Sequence, residues 1–398
     1  MVDLHARKRN RALVLGTLRT DAPLSKAEIG RRLGLSVPTI TEILGEFEAD
    51  GVVAAVGEGP SSGGRRPMLY GLRTHALRAV GVSVDPDRIT AVVSDLSGDI
   101  STEAARAIDL ADGDRAFVDA LASVIDHVLT ADAPERLAGI GIAVPTMMRR
   151  SQKGRFTPLG HPHWKDVDLL AVLGERYGLP IVTENRAHAV GVGEYLFGAG
   201  RGTPDLLCLM LGSGLGAAIL AGGELFTGGD GGAGALGRLL LEVPGRGDAR
   251  SAPTVGGRVG ADGIAGTAAD RLRATGRETH RGVPITELDI DHVIDAAVDG
   301  DALMAEVLAD VGRILGAVVA TTLCVTDSDL VLLCGQTMRA GPLIVDPLRD
   351  ALESWYPFAL PRLRVGQLGV HAGPLGAAAL VLTNLVREAP LPGREVTR

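Results

Sequence analysis

Aromatic residues are scarce in this sequence, 3% of its 398 residues, so any core must be built mostly from Ala, Val and Leu. Cysteine is nearly absent too. Cys208, Cys324 and Cys334 stand singly within apolar runs, which signals neither a disulfide framework nor a clustered zinc site and suits buried small hydrophobes. No stretch reaches the roughly 18 uninterrupted apolar residues that span a bilayer. The opening MVDLHARKRNRALVLG runs into a helical pattern without a signal-peptide cleavage site. These absences predict a cytoplasmic chain with no membrane partner. Glycine, by contrast, is plentiful at 54 residues, but it has no fixed period that would indicate collagen or a repeat array.

The length favours two or three domains and allows a sizeable core. Charge divides the chain unevenly. Residues 1–73 carry 11 Lys and Arg against 8 Asp and Glu, a net of +3, whereas the remainder carries 29 against 40, a net of −11. A mildly basic head on an acidic body suggests an anion-binding module joined to something else.

The head has local signals in a telling order. ARKRNRALVLGTLR spaces Ala12, Leu13, Leu15 and Leu18 as one face of a helix. After a break at Asp21-Ala22-Pro23, Ser25 and Glu28 have capping-box spacing at the start of a short helix that ends at Gly34. Ser36 then caps SVPTITEILGEFEAD, where Val37, Ile40, Leu44 and Phe47 form the apolar face and Thr39 and Glu42 the polar one, with Thr41 on its flank. GVVAAVGEGPSSGGRRPMLYGL reads as two short strands around a tip bearing Arg65 and Arg66. Two helices joined by a tight turn and followed by a basic hairpin describe a winged helix-turn-helix. The plainer reading is a small helical bundle with a hairpin. Its order and charge favour double-stranded DNA as partner. Thr39, Thr41 and Glu42 are the residues predicted to approach base edges, Glu42 as an acceptor for a cytosine amino group, with the capping Ser36 also placed at the DNA. Lys26, Arg65 and Arg66 are expected on phosphate or in a narrow minor groove.

From Ala79 onward strands and helices alternate. AVGVSVDPDRITAVVSDLSGDI has the pattern of a hairpin, GIGIAVP and IVTE of strands, and DLLAVLGERYG of a helix. DLLCLMLGSGLGAAIL reads as strand, glycine turn and strand, DALMAEVLADVGRILGAVVATTLCV as a long helix, DLVLLCG as a strand and GPLGAAALVLTNLVREA as a closing helix. This order predicts a layered α/β body with ligand groups at strand ends.

Across nearly the whole chain, the order of the head, GGRRP, GIGIAVP, LGHPHWKDVDL, TENRAHAV, LGSGLGAAI and GGDGGAGALGRLLLE resembles the ROK family of repressors, open reading frames and kinases. The resemblance implies an α/β fold: an N-terminal winged helix-turn-helix over 1–74, then a two-lobed, actin-like (ribonuclease H-like) sugar-kinase fold over 75–398. Lobe one is expected over about 75–182 plus the closing helix 373–390, and lobe two over about 183–372. The resemblance also implies a homodimer or tetramer and a palindromic operator.

Several positions depart from the family pattern. ROK kinases hold ATP phosphates on an Asp-x-Gly-Gly-Thr loop, and the corresponding stretch here is Asp85-Pro86-Asp87-Arg88. Proline has no amide to donate, and two carboxylates repel phosphate. The glycine turn Leu211 to Gly216 survives, a feature as often structural as phosphate-binding. The family's Glu-Asn-Asp, whose aspartate is the base, is matched by Glu184, Asn185 and Arg186; a guanidinium has only donors and cannot accept the sugar proton. Its Gly-Glu-Leu-Gly-His, which touches sugar and zinc, is matched by Gly234-Ala235-Leu236-Gly237-Arg238, and VPGRGDARSAPTVGGRVG lacks the cysteine cluster. No catalytic residue, cofactor or metal is therefore expected.

The expectation is a transcriptional regulator, a repressor, whose catalytically dead body senses a sugar-related small molecule, an anionic one if Arg186 and Arg238 face one cleft with Asn185. Alternatively the arginines pair internally with Glu184 or Glu194. His161, His163 and Trp164 border the sugar in the family; packing and surface roles fit them equally. His188, on the helix after Arg186, fits packing better than ligation. Rival readings are an active ATP-dependent sugar kinase with a DNA-binding head and a ligand-independent DNA-binding regulator.

Overall fold

The computed structural model describes residues 2–60, 66–109, 112–132, 136–146, 168–241 and 253–387. They fall into two compact units. The first takes in the described residues up to Val144, those from 168 to Glu184, and the C-terminal stretch from Gly373; the second comprises Pro145 and Thr146 with Asn185–Ala372.

The first unit begins with helix α1 (Val2–Asp21), the two-residue strand β1 (Leu24–Ser25) and helices α2 (Lys26–Leu33) and α3 (Val37–Ala49). Strands β2 (Val53–Glu58) and β3 (Met68–Leu72) follow, in a sheet of order β1-β3-β2. The caps lie where the sequence places them. Ser25 accepts from the Glu28 amide, Ser36 accepts from the Thr39 amide, and Gly34 takes the left-handed φ of 64° that ends α2. The capping box is realised in half: the Glu28 carboxylate bonds Arg31 and Arg32 on its own helix, whose cations lie within i+3 and i+4 reach. Ile40, Ile43, Leu44 and Phe47 form the buried face of α3. Val37, expected on that face, is 50% exposed, because it opens the first turn and overhangs the end of the head's core. Ile43 supplies the missing apolar side chain.

The same unit continues with strands β4 (Arg78–Val84), β5 (Arg88–Asp95) and β6 (Ile100–Ala107), helix α4 (Asp114–Ala131), strand β7 (Leu137–Val144), helix α5 (Leu169–Tyr177) and strand β8 (Ile181–Asn185), whose last residue belongs to the second unit. The sheet order is β6-β5-β4-β7-β8, antiparallel across β4, β5 and β6 and parallel between β4 and β7. Helix α12 (Ala372–Arg387) closes one face. It lies so near the sheet that a Cβ on Gly81 would stand 1.9 Å from the Pro374 carbonyl oxygen, and one on Gly141 2.1 Å from that of Ala377. The head is not separated from this sheet by solvent: Leu44, Phe47 and Val52 share one continuous apolar cluster with Leu77, Ala138 and Leu382.

The second unit repeats the strand order. Helix α6 (Arg186–Phe197) precedes strands β9 (Leu206–Leu211), β10 (Leu215–Ala221) and β11 (Glu224–Leu225). Helices α7 (Val255–Val259) and α8 (Ala261–Ala274), the ribbon β12 (Thr279–His280) and β13 (Val283–Pro284), and helices α9 (Ile290–Val298) and α10 (Ala302–Thr326) follow. Strand β14 (Leu330–Cys334), helix α11 (Pro342–Trp355) and strand β15 (Arg362–Val365) complete it, giving the sheet order β11-β10-β9-β14-β15. Alternation sends Leu207, Leu209 and Leu211 to one core and Leu206 and Cys208 to another. Helix α10 is long and apolar enough to cross a membrane, yet 61% of that stretch is buried within the protein. Its Gly312 and Gly316 let α11 approach closely, since added Cβ atoms would lie 2.4 Å from the Ile344 oxygen and 2.6 Å from the Ala351 Cβ.

The cysteines need correction in part. Cys208 and Cys334 are buried, as expected, and although they stand singly in the sequence their Sγ atoms lie 3.6 Å apart in the fold; the bond to Cys334 and burial both push the Cys208 thiol up. Cys324 is exposed.

Candidate functional site

The head offers the first candidate site. On α3 the exposed side is formed by Val37, Pro38, Thr41 and Glu42, with Ser36 exposed at its cap and Thr39 half-buried beside it. Thr39 and Ser36 hydroxyls bond each other at 2.8 Å, so both are preorganised, and Ser36 is committed first to the helix. Thr41 is the exposed hydroxyl among the predicted base readers. Glu42 differs from expectation in having an internal partner, Arg7 of α1, at 3.3 Å. With side chains 49% and 64% exposed, that pair holds weakly and can exchange for another partner. Lys26 was expected on phosphate; its ammonium stands over the Tyr70 ring, 5.3 Å from the centroid. The stem is half-buried and the charge fixed beside β3. Arg66 is exposed beside the wing, while Arg65 lies outside the described residues.

Behind that surface sits a buried cation that sequence spacing does not reveal. Arg11 of α1 is 1% exposed, stacks over Phe47 at 4.6 Å, bonds Glu46 and lies 3.9 Å from Asp50. Burial lowers its pKa while Asp50 opposes that shift. It locks α1 to α3, the helix that carries the exposed polar side.

The body offers the second site, at the start of α6. Asn185 is the N-cap: its Oδ1 accepts from the amides of Ala187 at 2.8 Å and His188 at 3.3 Å, while its Nδ2 donates to the Thr146 carbonyl at 2.6 Å. The residue expected to meet a ligand thus ties a strand end to a helix start. Arg186 follows as the first residue of α6 and is 8% exposed, its pKa lowered by burial to about 10. It stays protonated at neutral pH and cannot act as a base. Its guanidinium reaches the glycine turn, with Nη2 3.4 Å from where a Cβ on Gly212 would be.

Arg238 is exposed at the end of a short 3-10 turn, Leu236–Arg238. The two arginines therefore differ sharply in solvation. Glu194, one proposed internal partner, is otherwise engaged: its carboxylate accepts from the amides of Ala199 at 2.9 Å and Leu368 at 2.8 Å. Glu184 is half-buried on β8. His188, 2% exposed, bonds the Ala233 carbonyl at 2.9 Å, as its packing reading anticipates, and so fixes the segment leading to Arg238. His161, His163 and Trp164 lie outside the described residues.

Two turns bear on phosphate binding. At the β4–β5 hairpin the Asp85 amide donates to the Arg88 carbonyl at 2.8 Å, so it is spent within the turn. At the β9–β10 turn the Gly212 amide donates to Gly214 at 3.0 Å and its carbonyl accepts from Ala261 at 3.0 Å. The donor set around Arg238 does not fit zinc, because a guanidinium offers no lone pair to a metal. Backbone bonds brace the flanks of that loop instead: Leu241 donates to Pro253 at 3.0 Å, and Val255 to Leu239 at 2.8 Å.

A winged helix-turn-helix DNA-binding pattern matches residues 8–54. The chain is 26% identical over 387 residues to the xylose repressor of Bacillus subtilis, covering 96% of each chain. Among solved structures it is similar to a ROK family transcriptional regulator, a homologue of the E. coli MLC protein, with TM-score 0.78 and 21% identity over 96% of this chain and 97% of that one. It is also similar to a ROK family glucokinase from Streptomyces griseus, solved with glucose and AMPPNP, with TM-score 0.66 and 27% identity over 76% of this chain and 98% of that one. The ROK family pattern itself matches residues 79–384, well over half the sequence, and the chain belongs to the ROK family.

Proposed function

We propose that this protein is a cytoplasmic DNA-binding transcriptional regulator, a repressor, whose body senses a small molecule without phosphorylating it. The observation that carries the reading is Arg186, a buried cation at the start of α6, where the family resemblance puts the base. A protonated guanidinium cannot take a proton from a sugar hydroxyl. The spent Asp85 amide supports the same conclusion from the nucleotide side. No structural zinc, catalytic residue or cofactor belongs to this reading.

The head binds a palindromic operator as part of a homodimer or tetramer. Thr41 reads base edges, Thr39 and Ser36 orient the first turn, and Glu42 leaves Arg7 to accept from a cytosine. The exposed Val37 adds an apolar contact suited to a thymine methyl group. Lys26, Arg65 and Arg66 supply phosphate affinity. The effector is an anionic sugar derivative that meets Arg238, with the buried Arg186 adding positive potential and Asn185 holding the helix start.

Selection of duplex DNA from a random pool by the full chain tests the first half. A two-fold symmetric sequence is expected, with T41A relaxing one base position by about 1–3 kcal/mol. Enrichment of no sequence contradicts it. Thermal shift with sugar phosphates and sugar acids tests the second half; a shift that R238A abolishes is expected, and none from any anion contradicts the anionic effector.

A further inference from the structure

We infer that Arg136 is the positioning residue that sets the angle at which the first unit presents α3 to DNA; the inference rests on the regulator reading above. Arg136 stands just before β7, outside the head, and its Nη1 donates to the Asp50 carbonyl at 2.7 Å. Asp50 is the C-cap of α3. The side chain passes Gly51, where a Cβ would lie 3.4 Å from Nη1, and Gly51 has a φ of 74°. The arginine is held from behind as well, since its carbonyl accepts from the Arg78 amide at 3.2 Å, which ties it between β4 and β7.

Three features make this contact directional. A cation at a helix C-terminus meets the negative end of the dipole. Asp50 is 7% exposed and lies 3.9 Å from Arg11, so the same residue joins α1, α3 and the first unit's sheet. Other links among the described residues include an apolar cluster through Leu77, Ala138 and Leu382 and, along the segment that leaves the head, the Arg73 amide on the Val52 carbonyl at 2.8 Å and the Leu96 amide on the Thr74 carbonyl at 3.2 Å. Apolar burial is non-directional, and the Arg73 bond lies within the chain segment that leaves the head. Arg136 alone among these reaches from the sheet to the end of α3.

A fixed angle matters because two α3 helices must enter successive major grooves at one spacing. The test uses the full chain. With spin labels at E48C and A116C on a C324S background, and labelled chains diluted in excess unlabelled chain so that only pairs within one protomer are read, the wild-type interlabel distance is expected to be a single narrow distribution, broadened in R136A and narrowed again in R136K. Affinity for selected operators with altered spacers gives the second readout: wild type is expected to prefer the best spacer about tenfold over a one-base-pair change, and R136A by less than about threefold, with single half-site affinity unchanged. A merely structural loss would weaken half-site and full-site binding alike. An unchanged distance distribution or an unchanged spacer profile in R136A overturns the assignment. A wild-type chain that selects no duplex sinks the regulator reading, and the distance distribution then decides on Arg136.

Discussion

The two five-stranded sheets share one strand order, β6-β5-β4-β7-β8 in the first unit and β11-β10-β9-β14-β15 in the second, yet their first hairpin turns have diverged. The β9–β10 turn keeps Gly212 and Gly214, and its surroundings are backbone and Arg186. The β4–β5 turn has Pro86 and two aspartates, with the Asp85 amide closed on Arg88. Both units nevertheless retain glycines where helix and sheet press together, Gly81 and Gly141 on strands of the first and Gly191 on α6 of the second, where it faces Ala218 of β10. Packing is thus decided at strand centres, while the chemistry was free to change at strand ends.

That contrast is broken most forcefully by exchanging the two kinds of glycine. G81V, which drives a Cβ into the Pro374 carbonyl, should cost about 3 kcal/mol, read as a lower urea midpoint. G214A, at a turn with nothing within 4 Å, should cost less than about 0.5 kcal/mol. The pH dependence of Arg186 sharpens the comparison next. Its folded pKa of about 10 lies below the ordinary arginine value because of burial, so between the two the unfolded chain binds more protons and stability rises with pH. Relative to R186M, the wild type should gain up to about 1.4 kcal/mol per pH unit in that window, with no difference in slope below it. Smaller still, S36A removes the cap of α3 and should lower head stability by about 1 kcal/mol, visible as faster amide exchange in α3. The smallest effect is none. R186D restores a carboxylate beside the intact glycine turn, but the first turn still withholds the Asp85 amide, and no sugar phosphorylation should appear.

Much of this was legible in the sequence because its signals are local. The caps of α2 and α3, the wing strands, the strand read from Ala79, the long helix α10 and the turn at Gly212 all follow from residues a few positions apart. Strand β6 carries no clear signal, since ISTEAARA is a largely exposed edge, and β15 has only four residues, RLRV, too few for their alternation to register. The rest depended on distant partners. Arg7 holds Glu42, Arg136 reaches Asp50 across 86 positions, and Cys208 meets Cys334 across 126. Arg186 and Arg238 read alike as cations; only folding buries one at a helix start and leaves the other exposed. Asn185 showed its polarity but not that both ends of its amide are spent on Ala187, His188 and Thr146.

The most direct measurement is a coupled assay of ATP consumption by the purified full chain over a panel of hexoses, pentoses and N-acetylated sugars. The account predicts no sugar-dependent turnover above the no-enzyme rate, in wild type and R186D alike. Sugar-dependent ATP hydrolysis or a phosphorylated sugar product in the wild type would contradict it.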